Sequence, residues 1–243
     1  MPVAHLAQSG PRQNYLLSAL PDNDFQNLLQ ELQPVQLEVG QTVHEAGPVS
    51  HAWFPASCVL SLQYVTSHGA TIEVASIGDE GMAGVDAVMS DDHFQHPVVV
   101  RAAGIAYRLP VQTLITEFRR CPTLQAVTLR YLHSLLAQVM QAAACNRHHS
   151  IEQQLCRCLL SSLDRQPDSD IRLTQEFIAN TLGVRRESIT EAARKLQQAG
   201  VIHYRRGHIT VDDRRALEAE ACECYGVVRR EVERMQQDGR IAA

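Results

Sequence analysis

Apolar and polar positions change rhythm along this chain. Over residues 12–33, Leu16, Leu17, Leu20, Phe25, Leu28, Leu29 and Leu32 recur at helical spacing, and Pro34 closes the run. From Val35 to about Leu109 short runs rich in Val, Ile and Tyr take over: Thr42–His44, Val59–Thr66, Ala70–Ile77, Val98–Arg101 and Gly104–Leu109. Breaks fall at Gly40, Gly47-Pro48, Pro55, His68-Gly69, Gly78-Asp79-Glu80-Gly81 and Ser90-Asp91-Asp92. Many short strands with regular turn signals predict a β-sandwich or β-barrel.

After Pro110 the helical rhythm returns. Residues 111–119 predict a short helix, and Thr123 to about Asn146 holds neither Gly nor Pro. This longer helix has two apolar stripes. Leu124, Thr128, Tyr131, Leu135, Gln138, Ala142 and Cys145 alternate steps of four and three, a coiled-coil seam. Leu129, Leu132, Leu136, Val139 and Ala143 repeat the same steps. A helix apolar on two faces must bury both, one on its own β-region and one on a partner chain. Leu135 is expected at the seam between two copies. Ser150 followed by Gln153 predicts a capping box and a new helix to about Asp164, so residues 146–150 form a hinge.

Beyond the polar linker 166–170, Thr174 predicts the cap of a helix ending near Thr181, and Gly183 provides a sharp turn. A second helix is expected from about Arg186 to Gln198, buried through Ile189, Ala193 and Leu196 and ended by Gly200. Residues 201–204 and 209–211 then predict two strands around an Arg205-Arg206-Gly207-His208 turn. Helix, turn, helix and hairpin make a winged helix-turn-helix. A last helix is expected from about Asp213 to Met235.

Charge sharpens this picture. The 243 residues carry a net charge of −5, yet residues 171–211 hold seven basic and three acidic side chains. All basic residues but Lys195 are Arg, whose planar fork suits phosphate and guanine edges. The second helix would offer Arg185, Arg186, Glu187, Ser188 and Glu191 near its start, where a recognition helix reaches base edges. The 45% apolar content supports a folded core. The start of the chain lacks the basic head and apolar run of a signal peptide, and the seven cysteines are scattered. Reduced thiols in a cytoplasmic protein are expected.

Leu173–Ala179, Leu182–Thr190, Leu196 and Gly200-Val201-Ile202 resemble the DNA-binding domain of the Crp–Fnr regulators. Gly40, Gly47, Gly78-Asp79 and Arg101-Ala102 resemble that family's cyclic-nucleotide-binding β-roll, and the helix after Pro122 its dimerisation helix. The resemblance implies an α+β protein with three parts. These are a jelly-roll-like effector domain at 1–121, a dimerisation helix and hinge at 122–149, and a winged helix-turn-helix with its C-terminal helix at 150–243. It implies a homodimeric regulator acting on inverted-repeat double-stranded DNA, and contact with RNA polymerase if it activates. Arg186 and Glu187 fall where family members read bases, Ser188 where a hydroxyl meets phosphate. Glu191 replaces a basic reader, and Arg185 stands where Ser is usual. Thr174, Arg205 and Arg206 complete the expected DNA-binding set.

The effector is left unknown. Nucleotide-binding members use a Glu and an Arg-Ser pair, and the aligned positions here are Ala83 and His96-Pro97, which argues against cyclic AMP. Gly78, Gly81, Gly84, His96 and Arg101 mark the candidate pocket. No cysteine lies in residues 1–57, which argues against the family's iron–sulfur cluster. Residues 78–92 hold no His or Cys for haem. Cys156-x-Cys158 and Cys222-x-Cys224 are read as helical, with thiols pointing apart, and His148-His149 as a polar hinge, so no metal is expected. Walker, Gly-x-Ser-x-Gly and His-Glu-x-x-His patterns are absent, and no catalytic residue is assigned. The rival reading is a cupin-type metal-binding β-barrel with an interaction module, built on His44, His51 and His68. These lack the His-x-His spacing of two ligands on one strand face.

Overall fold

Two sheets carry the first half of the chain in the computed structural model, which describes residues 10–45, 47–89, 96–165, 170–171, 173–205 and 207–241. One sheet has the order β1 (Gln33–Leu37), β7 (Gly104–Pro110), β3 (His51–Pro55). The other has the order β2 (Thr42–His44), β6 (Val98–Ala102), β4 (Val59–Val65), β5 (Thr71–Ile77). Both β1 and β3 pair antiparallel with β7. The apolar layer between the sheets holds Leu37, Trp53, Leu60, Ile77, Val98 and Val100. This is the expected β-roll, with the strands at 42–44, 59–65, 71–77, 98–102 and 104–110 where the pattern placed them.

The helical lead-in is broken into α1 (Tyr15–Ser18) and α2 (Asp22–Leu29) at Pro21. Asn14 is wholly buried. Its side-chain oxygen accepts from the Leu16 and Leu17 amides. Its amide donates to Pro55 O at 2.9 Å and Gly81 O at 2.8 Å. One side chain thus caps a helix and holds both the end of β3 and the loop at Gly81, satisfying carbonyls that burial would otherwise leave unpaired.

α3 (Val111–Arg120) leads into α4 (Pro122–His148). The first apolar stripe of α4 faces inward. Leu124 and Tyr131 are buried, and Leu135 packs against the same core as Phe54, Met82 and Leu109. Leu135, expected at a seam between copies, is half-buried, with part of its surface covered by this core of its own chain. Of the second stripe, Leu132 packs against the same core while Leu129 and Leu136 are exposed by 60% and 58%, and Met140 beside them by 64%.

α5 (Ile151–Leu163) begins with the expected capping box, both Ser150–Gln153 bonds being formed. With α6 (Gln175–Leu182), α7 (Arg186–Gln198), β8 (Asp170–Ile171), β9 (Ile202–Arg205), β10 (His208–Val211) and α8 (Arg214–Glu220) it encloses a second apolar core. The expected single C-terminal helix is two. Asp213 caps α8 through the Ala216 amide, and the chain is extended at Ala221 before α9 (Glu223–Ile241). The chain forms two compact units, one from 1–63, 75–136 and 231–243, the other from 64–74 and 137–230. Among the described residues no helix is long and apolar enough to cross a membrane.

Candidate nucleic-acid interface and effector region

Thr174 starts the helix-turn-helix. Its hydroxyl oxygen accepts from the Phe177 amide at 3.1 Å, the cap that its side chain and position predict. α6 ends at Gly183, whose φ of +64° lies where residues with a Cβ are strained. The turn closes through Val184 N donating to Ala179 O at 3.0 Å. Thr190 Oγ1 lies 2.8 Å from Gln175 Oε1, linking the two helices.

α7 is amphipathic. Ile189, Ala192, Ala193 and Leu196 are buried, while Arg185, Arg186, Glu187 and Glu191 are exposed and Ser188 is half-buried. The sequence-predicted readers thus share one outer edge at the start of the helix. Glu191 is less isolated than its sequence suggests. Lys195 Nζ lies 3.8 Å from Glu191 Oε1 and 2.6 Å from Glu152 Oε1.

The wing is a three-stranded sheet in the order β8-β10-β9. The two-residue β8 falls in the stretch read as linker, too short for any periodicity to reveal. Arg205 is exposed and pairs in register with His208 across a turn whose Gly207 has φ +85°. Arg206 lies outside the described residues.

In the effector region the glycines serve the fold. A Cβ on Gly81 would stand 2.2 Å from the Tyr131 ring. Gly84 has φ +86° and its Cβ would lie 3.1 Å from His51 O. Two amides of this turn are engaged within the fold. Gly81 N donates to Gly78 O at 3.1 Å, and Ala83 N to Trp53 O at 2.9 Å. Arg101 is buried in β6 and donates to Ser76 Oγ at 2.7 Å. His96 is half-buried near Asp86, whose carboxyl burial pushes above its usual range. Among the described residues His44, His51 and His68 do not gather into a ligand set.

The thiols divide. Cys156 and Cys158 sit in α5 within the second core, as ordinary buried side chains, and burial pushes the Cys156 thiol up to about 12. Cys222 and Cys224 do not share a helix as the sequence reading had it. Cys222 precedes α9 and Cys224 lies in its first turn. They gather with Cys145 and His149, a grouping the sequence reading missed. The signal available in the sequence was the Cys145-x-x-x-His149 spacing.

Residues 153–220 match the model of the Crp-like helix-turn-helix domain. No curated protein matches the chain. Several solved structures share its fold. A protein from Eubacterium rectale assigned to the crp/fnr family of transcriptional regulators is 21% identical, with a TM-score of 0.67 over 85% of this chain and 98% of that one. FixK2 from Bradyrhizobium japonicum is 13% identical, with a TM-score of 0.68 over 79% and 98%. CLP from Xanthomonas campestris, a global regulator responsive to c-di-GMP, is 16% identical, with a TM-score of 0.62 over 79% and 99%. The chain thus carries a Crp-like helix-turn-helix domain at residues 153–220 on the fold shared by structures of the Crp/Fnr regulators.

Proposed function

We propose that this protein is a cytoplasmic, non-enzymatic transcriptional regulator that binds inverted-repeat DNA as a homodimer. The observation that carries the reading is the outer edge of α7. Its opposite face is held in the second core, so Arg185, Arg186, Glu187 and Ser188 are presented rigidly. A helix of this kind enters the major groove with its first residues on base edges. Arg186 donates both guanidinium arms to a guanine, and Glu187 accepts from a cytosine amino group. Arg205 in the wing meets phosphate. Glu191 cannot donate to guanine, so the base pair it faces is chosen differently from that of family members with a basic residue there.

The homodimer reading is supported by the outward side of α4. Leu129, Leu136 and Met140 are exposed apolar side chains on one side of the helix, and a twofold partner covers them with the same residues. Two recognition helices then lie about 34 Å apart, one turn of DNA. The effector reading argues against cyclic AMP. Ala83 supplies no carboxylate for a ribose, its amide is taken by Trp53, and the phosphate position holds His96-Pro97.

Binding-site selection tests the DNA reading. Arg186→Ala is expected to cost about 1–3 kcal/mol per half-site and to relax preference at one base pair. Arg205→Ala is expected to weaken all sequences alike and lower the salt slope by about one per contact. An unchanged selected motif with Arg186→Ala, together with an altered one for Arg205→Ala, would overturn the assignment of the recognition element.

A further inference from the structure

We propose that Cys145, His149, Cys222 and Cys224 form a closed, mononuclear zinc site. The four side chains come from two places in the helix-turn-helix unit. Cys145 and His149 are one turn apart at the end of α4, and His149 N donates to Cys145 O at 3.1 Å, so both face the same way. Cys222 lies in the break before α9, and Cys224 in the first turn after it. The break turns a Cys-x-Cys pair that a continuous helix would splay into a convergent one.

The spacing matches a single ion. Cys145 Sγ and Cys222 Sγ are 3.5 Å apart, and Cys224 Sγ lies 3.4 Å from His149 Nδ1. All four ligand atoms lie within 4.8 Å of one another. Tetrahedral zinc, with bonds of about 2.3 Å to sulfur and 2.0–2.1 Å to nitrogen, spaces its ligand atoms about 3.6–3.8 Å apart. An iron–sulfur cluster needs ligands that straddle several metal atoms, and this set is too compact for one. The three thiols are buried and form a cluster apart from the apolar cores. Three thiolates and an imidazole are a ligand set of structural zinc sites, with no position left open for a substrate.

The surroundings orient the ligands as metal sites require. The other ring nitrogen of His149, Nε2, lies 3.2 Å from Glu223 Oε2. That contact holds the proton on Nε2 and leaves Nδ1 free to ligate. Gln141 Nε2 donates to Cys224 Sγ at 3.0 Å. Binding displaces the thiol protons to solvent, and the bound site carries one net negative charge, which the nearby Arg157 guanidinium offsets. The ion would fasten the end of α4 to the junction of α8 and α9.

Elemental analysis of the full chain, purified without chelators, is expected to show about one zinc per chain. Cys224→Ser and His149→Ala should each lower this at least about tenfold, while His149→Cys, which restores a four-thiolate set, and Cys156→Ser, outside the site, should retain it. Glu223→Gln should weaken zinc affinity by about 10–100-fold. If the ligand variants fail to fold, wild-type protein stripped of metal and titrated with Co²⁺ gives the same answer through the thiolate charge-transfer absorption of a tetrahedral site. Wild-type protein without zinc and without that absorption would overturn the proposal. So would iron with acid-labile sulfide, or a Cys145–Cys222 disulfide in freshly isolated protein.

Discussion

Replacing Leu129 and Leu136 together by Asp is expected to yield a folded monomer that has lost nearly all operator affinity. Both side chains are more than half exposed in a single chain, so the substitutions remove nothing from its core. In a twofold dimer they would bury four carboxylates without partners, and an unpaired buried charge costs about 3–5 kcal/mol. The second half-site would no longer be bound at the high local concentration that dimerisation provides, which lowers operator affinity by about 10²–10⁴-fold. Light scattering, gel shift and thermal melting measure the three effects. Leu135→Asp should behave differently, lowering the melting temperature, because Leu135 packs against the core of its own chain. A double variant that stays dimeric would show that this face of α4 is not the interface.

Gly104→Ala is expected to be a strongly damaging single-methyl change in the β-roll. A Cβ there would stand 2.5 Å from Ser57 O and 2.7 Å from Cys58 N, both backbone atoms. Those atoms cannot easily retreat. The Ala56 and Ser57 amides both donate to Ile105 O, and Ser57 Oγ accepts from Ile105 N at 2.9 Å. Overpacking of this kind costs about 3 kcal/mol, at the upper end of its range. At about 2–4 °C per kcal/mol for a chain of this size, the melting temperature should fall by about 6–12 °C. Gly10→Ala, with open space around it and no positive φ, is the control and should leave the melting curve in place. Coincident curves for both variants would show that the crossing of the two backbones is looser than described.

Much of this architecture was readable from residues. Ser150 and Gln153 announced the start of α5, Thr174 that of α6, and Gly183 the turn between the helices, because each acts through bonds to its immediate neighbours. β3 was hidden for the opposite reason. Ala52, Trp53, Phe54 and Pro55 are all buried, so the alternation that marks a half-exposed strand is missing. The choice between the two stripes of α4 was not local either. Leu135 and Leu136 are adjacent and chemically identical, and only the β-roll packed against one of them tells them apart. The cysteine cluster joins positions 77 residues apart in sequence, Cys145 and Cys222, so a local reading saw only unremarkable pairs.

The threefold use of Asn14 sets where this chain tolerates editing at its beginning. A deletion that removes Asn14 leaves the Pro55 and Gly81 carbonyls buried without donors, at about 1–3 kcal/mol each. The segment at Asn14 is therefore a wedge that finishes the β-roll, and domain-mapping truncations begun downstream of it would report the loosening of that roll rather than the loss of a separate function.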